Sequence, residues 1–156
     1  MNLFDIIVIG GGHAGIEAAA AATRLGARTL LVTLRIDSIG EMSCNPSIGG
    51  QAKGQIVREI DLLGGLMGEA ADFSAIQYRV LNRSKGPAVR STRSQNDRLL
   101  YKKFLNDRLL SFPLLTIWQD EATGLLTEKG NITGALLRTA GEVTAGAVVV
   151  TAGTFL

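Results

Sequence analysis

The stretch from Phe4 to Leu25 limits the possible folds more than any other part of this chain. Ile6, Ile7, Val8 and Ile9 form a short apolar run dense in β-branched residues, which predicts a buried strand. Gly10, Gly12 and Gly15 follow as G-x-G-x-x-G, and the alanine-rich run from Ile16 to Leu25 predicts a helix. Strand, glycine turn and helix in this order form the dinucleotide-binding fingerprint. Gly10 permits the tight turn, Gly12 lets a pyrophosphate approach the backbone, and Gly15 lets helix and strand pack closely. The helix start adds unpaired N–H groups and the positive end of the helix dipole. The candidate nucleotide contacts are therefore Gly10, Gly11, Gly12, His13, Ala14 and Gly15, with His13 expected as a loop residue with an exposed ring.

The second strand is expected at Thr29–Thr33. A βαβ dinucleotide site usually carries an acidic residue at the tip of this strand, where it holds a ribose hydroxyl. Here the tip is Thr33, which can make one hydrogen bond, and the fingerprint is incomplete. Arg35 could suit a 2′-phosphate, but the favoured reading is an arginine facing solvent. Further on, Asn45 as N-cap and Pro46 as first residue predict a helix over 46–63, stopped by Gly64 and Gly65. Ile56, Val57, Ile60 and Leu63 would form its apolar stripe. Cys44 would then stand just before a helix N-terminus, which favours the thiolate; the plainer reading is a small buried residue. Gly49, Gly50 and Gly54 are costly within a helix and imply that a ligand or another backbone packs against them.

Charge is distributed unevenly. Residues 79–108 hold nine basic and two acidic side chains, a net +7, while the rest of the chain sums to −5. Such asymmetry points to a polyanionic partner. Residues 83–93 read as a basic loop suited to phosphates, and 94–110 as a helix with Leu100, Phe104, Leu105 and Leu109 turned inward and Arg98 and Lys102 on its exposed face. The basic stretch has no aromatic platform for stacking bases, so backbone and shape contacts are expected. From Leu114 the hydrophobic period changes to two, which predicts a β-meander to about Glu142. The apolar run from Ala147 to Thr151 should return to the parallel sheet, with Gly153 allowing close backbone approach. One cysteine excludes an internal disulfide and suggests a reducing, cytoplasmic setting. No secretory leader, membrane span or metal site is expected.

The plan resembles the two-dinucleotide-binding-domain flavoproteins of the glutathione reductase superfamily. The motifs GGGHAG at 10–15, MSCNPSIGG at 42–50, KGQIVREIDLLGG at 53–65, IQYRVLN at 76–82 and SKGPAVRSTRSQ at 84–95 narrow the resemblance to one family. That is the glucose-inhibited division protein A family of tRNA uridine 5-carboxymethylaminomethyl modification flavoenzymes, and the closing AVVVTAGTFL agrees. The resemblance implies an α/β, Rossmann-like FAD-binding domain of the glutathione reductase type: a parallel sheet with a β-meander. It implies FAD reduced by NADH, a GTPase partner, methylenetetrahydrofolate as one-carbon donor, and the wobble uridine of tRNA as substrate. The parent would be a cytoplasmic homodimer. The glycine loop matches the pyrophosphate segment, Ala122 falls where the backbone approaches the FAD adenine, and Thr33 matches a family that lacks the usual acid. Cys44 matches one of two functional cysteines, as a nucleophile or a proton-transfer group. Lys85, Arg90, Arg93, Arg98 and Lys102 are the expected tRNA contacts. Family members are several times longer, so residues 1–156 read as the N-terminal part of the FAD-binding domain, without the nicotinamide domain and the C-terminal helical domain. Such a fragment is expected to be inactive by itself. The alternatives are a non-catalytic nucleotide- or RNA-binding fragment and a flavin disulfide reductase, which the single cysteine disfavours.

Overall fold

The computed structural model describes residues 3–43 and 45–153. Its elements are β1 (Phe4–Ile9), α1 (His13–Arg24), β2 (Thr29–Thr33), β3 (Ser47–Gly49), α2 (Lys53–Leu62), α3 (Leu66–Ser74), β4 (Ala75–Leu81), β5 (Ser91–Asn96), α4 (Arg98–Leu110), β6 (Leu115–Gln119), β7 (Ala122–Glu128), β8 (Asn131–Leu137) and β9 (Gly141–Val150). They fall into two compact units, residues 1–39 with 108–156, and residues 40–107.

The first unit is a six-stranded sheet in the order β6-β2-β1-β9-β8-β7. β6, β2, β1 and the second half of β9 run parallel, while β7, β8 and the start of β9 form an antiparallel meander. The apolar run of β1 is buried as its sequence requires: consecutive Ile7 and Val8 point to opposite faces and both are fully covered. Val8 and Leu31 are buried like Ile16, Ala19 and Ala20 of α1, whose small side chains allow a close helix–sheet approach. Phe4, Ile7, Leu30 and Val32 form one core cluster with Ala135, Leu137, Val143 and Ala145 of the meander. Trp118 of β6 and Ala122 of β7 pack on that same cluster, although their strands end opposite sides of the sheet order. The sheet therefore bends so that the meander closes over one face. Phe4 and Trp118 meet edge to face at 5.7 Å.

The α/β class with its parallel sheet and meander is as expected, but the meander starts later. The run around Leu115–Gln119 alternates like a meander strand, yet it joins β2 in parallel. A two-residue period does not say which neighbour a strand selects.

The second unit is a three-stranded antiparallel sheet, β3-β5-β4, with α2 and α3 packed against it. Here the expected helix over 46–63 is corrected. Residues 47–49 are a strand paired with β5, and the helix begins only at Lys53. The glycines explain the difference. A Cβ on Gly49 would overlap the Thr92 carbonyl oxygen, and one on Gly54 would overlap the Ser91 hydroxyl. What packs against these glycines is backbone and side chain of β5. The apolar stripe is also corrected, because Ile56 and Leu63 are exposed. Likewise 94–96 belong to β5, and α4 turns Tyr101 inward and leaves Leu100 exposed.

Candidate functional site

The glycine loop leaves the carboxyl end of β1 and enters α1 directly. Gly10 has φ +113°, a conformation open to glycine, and its amide donates to the Val32 carbonyl at 2.8 Å. A Cβ there would stand 2.5 Å from the Thr151 carbonyl oxygen. A Cβ on Gly15 would overlap the Gly10 carbonyl oxygen, so helix and loop meet at backbone distance. A Cβ on Gly11 would lie 2.7 Å from the Thr33 hydroxyl oxygen. Gly12 differs: among the described residues nothing lies within 4 Å of a Cβ built on it, and the residue is exposed. Three glycines are thus fixed by packing, and the fourth borders open space.

Gly12 is also the N-cap of α1, with extended φ and ψ and no side-chain cap among the described residues. First-turn N–H groups have no carbonyl partner within their own helix. The loop therefore presents backbone donors and a positive helix end to the space beside Gly12, a setting suited to a phosphate.

Two threonines brace this cradle. Thr151 donates its amide to the Ile9 carbonyl at 2.8 Å and its hydroxyl to Ile9 and Gly10 carbonyls at 2.8 and 3.2 Å. Thr33 is buried beneath Gly11, and its carbonyl accepts from Asp120 N–H at 3.0 Å. Sequence reasoning missed Thr151 as a site residue; its signal was a polar residue closing the run AVVV beside β1. The close approach expected at Gly153 occurs at Thr151, since a Cβ on Gly153 meets nothing within 4 Å among the described residues.

His13 departs from its expected exposed ring. It is the first residue of α1 and is half-buried, and burial holds its imidazole below the ordinary value, with Glu17 opposing. Ala14 is exposed beside it. Ala122 opens β7 two residues after Asp120 and packs against the core cluster. Arg35 is held by Asp37 through two contacts of 2.9 and 2.7 Å, so its guanidinium is committed and faces solvent as favoured.

Cys44 lies outside the described residues. The helix start expected just after it is corrected: the residues that follow form a strand, and α2 begins nine residues later.

The basic segment divides between two elements of the second unit. Lys85 and Arg90 lie on the exposed connection between β4 and β5, and Arg93 on β5 itself. Arg90 Nε donates to the Lys85 carbonyl at 3.3 Å, and Arg93 Nη2 to Asn45 Oδ1 at 3.3 Å. Arg98 and Lys102 lie on α4, where Arg98 Nη2 donates to the Met42 carbonyl at 3.1 Å and Lys102 is half-buried.

The family model described as glucose inhibited division protein A matches residues 5–156. Two crystal forms of Aquifex aeolicus GidA are 49% identical to this chain, with TM-scores of 0.94 for form I and 0.93 for form II. They cover 98% and 97% of this chain, which spans 26% and 25% of theirs, about a quarter of their length. The GidA-related protein of Thermus thermophilus is 18% identical with a TM-score of 0.59, covering 98% of this chain and 54% of its own, and shares the fold. With the glycine cradle in place and the match running through both compact units, the chain belongs to the glucose inhibited division protein A family.

Proposed function

We propose that this chain is the N-terminal part of the FAD-binding domain of a tRNA-modifying flavoenzyme. The single observation that carries the reading is the cradle at Gly10–Gly15: three glycines locked by packing, and Gly12 open to the space beyond the start of α1. Those residues fit a dinucleotide diphosphate. Backbone N–H groups of Gly12, His13 and Ala14 would hold it, Gly11 would keep the loop flat on Thr33, and Ala122 would border the adenine. Bound FAD would supply two-electron transfer, with NADH as reductant.

The substrate in this reading is tRNA, held through Lys85, Arg90, Arg93, Arg98 and Lys102, and the product carries a carboxymethylaminomethyl group at C5 of the wobble uridine. The full-length protein would act as a cytoplasmic homodimer with a GTPase partner and methylenetetrahydrofolate as one-carbon donor. Among the described residues no helix is long and apolar enough to cross a membrane. Cys44 is the proposed reactive group, supported by its place in the MSCNPSIGG motif. Only its thiolate is a good nucleophile. Cys44→Ala in the full-length protein should keep flavin and tRNA affinity while abolishing modification of a wobble-uridine tRNA transcript. Wild-type modification by that variant would overturn the role of Cys44, and absence of flavin from the wild-type protein would overturn the flavoenzyme reading.

A further inference from the structure

The hairpin formed by β4, its connection and β5 has a property that the whole basic segment does not share. Residues 75–96 contain Arg79, Arg83, Lys85, Arg90 and Arg93 and no aspartate or glutamate. Elsewhere on the described surface four cations stand in ion pairs: Arg28 with Asp5, Arg35 with Asp37, Lys103 with Asp107 and Arg138 with Glu121. Among the described residues, none of the five hairpin cations meets a carboxylate. Among the described residues Arg90 and Arg93 donate to neutral oxygens, which leaves their charge in place.

Strand register adds a second feature. Arg79 on β4 stands directly opposite Arg93 on β5. Residues directly opposite on antiparallel strands project from the same face, and like charges in that position repel. Gln77 and Gln95 form the next pair along that face. The register therefore places two arginines on one face of the strand pair, bordered at one end by uncharged hydrogen-bonding residues.

The connection beyond them is preformed. Lys85 N–H donates to the Asn82 carbonyl at 2.9 Å, Asn82 Nδ2 donates to the Val89 carbonyl at 3.0 Å, and Arg90 N–H donates to the Pro87 carbonyl at 3.2 Å. These bonds tie residues 82–90 into a closed tip that exposes Arg83, Lys85 and Arg90. A cationic arm ordered before binding spends less entropy on docking than a flexible basic tail.

We propose that this hairpin is the principal grip on the tRNA backbone, with Arg79 and Arg83 as phosphate-positioning residues beside Lys85, Arg90 and Arg93. The inference rests on the tRNA reading above and adds the element that does the holding. Phosphodiester groups answer both features at once: they supply the anions that the hairpin lacks, and a run of them matches several cations set on one hairpin. Guanidinium groups suit this role because their planar forks pair with phosphate oxygens two at a time.

The test measures affinity of the full-length protein for a tRNA transcript across a salt series. Removing one phosphate contact lowers the slope of log affinity against log salt by about 0.7–0.9. Arg79→Gln with Arg83→Gln should lower it by roughly 1.5, while Arg79→Lys with Arg83→Lys should keep most of it, because the charge survives. Lys103→Gln removes one charge from the same basic segment, but a charge already paired with Asp107, and should leave the slope unchanged. Wild-type protein with no salt-dependent tRNA affinity overturns the tRNA reading and the hairpin with it. Wild-type binding whose slope is untouched by the double glutamine variant, or is lowered equally by Lys103→Gln, overturns the hairpin assignment alone.

Discussion

The glycine loop and the basic hairpin are both candidate binding elements, and they are built on opposite terms. The loop consists of backbone held in place by packing: Gly10, Gly11 and Gly15 each have a neighbour where a side chain would go. The hairpin consists of side chains that meet no carboxylate among the described residues, on a partly exposed strand pair and its exposed tip. A site made of backbone fails through sterics, and it fails abruptly. A site made of separate charges fails one contact at a time. The same protein should therefore show all-or-none behaviour at one element and graded behaviour at the other.

The largest effect is expected at Gly15. Gly15→Val drives a side chain into the Gly10 carbonyl and should lose flavin together with about 1–3 kcal/mol of stability. Gly12→Val is the companion change. Its Cβ meets no described atom within 4 Å, so denaturant unfolding should place it within about 1 kcal/mol of wild type while flavin is still lost. If Gly12→Val retains flavin, the space beside it is not a cofactor site and the contrast with Gly15 collapses to packing alone.

A pH dependence comes next. Burial lowers the His13 imidazole from its ordinary 6.5, so the unfolded chain takes up this proton before the folded one. Stability contributed by the neutral ring is present above about 6.5 and is lost as pH falls through the window beneath it. Unfolding measured from about pH 8 to about pH 5 should show this loss, and His13→Gln should flatten that part of the profile. An unchanged profile would mean that the ring is solvated in solution.

Smaller still is the expected effect of Arg98→Gln with Lys102→Gln. Arg98 is anchored on the Met42 carbonyl and Lys102 is half-buried, so the tRNA salt slope should fall by no more than one contact, about 0.7–0.9. A fall as large as that of the hairpin double variant would move the grip onto α4. The smallest effect belongs to Arg35→Ala. Its guanidinium is held by exposed Asp37, and an exposed pair of this kind contributes little, so flavin content and salt slope should match wild type.

Which parts of this were legible in the sequence follows from how local the governing physics is. The order Ile6–Ile9, Gly10–Gly15, Ile16–Leu25 determined strand, turn and helix, because the buried run, the glycine spacing and the alanine face are each readable within a few residues. The same holds for the charge excess of residues 79–108, which is a property of composition. Tertiary structure decided what depends on distant neighbours. Asn45-Pro46 carries good helix-start residues, yet pairing of Ser47–Gly49 with β5 made a strand there and removed the helix end from the vicinity of Cys44 in sequence. Thr151 became a brace of the glycine loop only because β9 returns beside β1 from more than 140 residues away. Alternation around Leu115–Gln119 announced a strand, but its parallel place beside β2 came from long-range pairing. The division of the basic segment followed the same rule. Sequence determined how many charges it carries. The fold decided the register that sets Arg79 opposite Arg93 with no carboxylate partner among the described residues, because a cation's partners are chosen by distance in space.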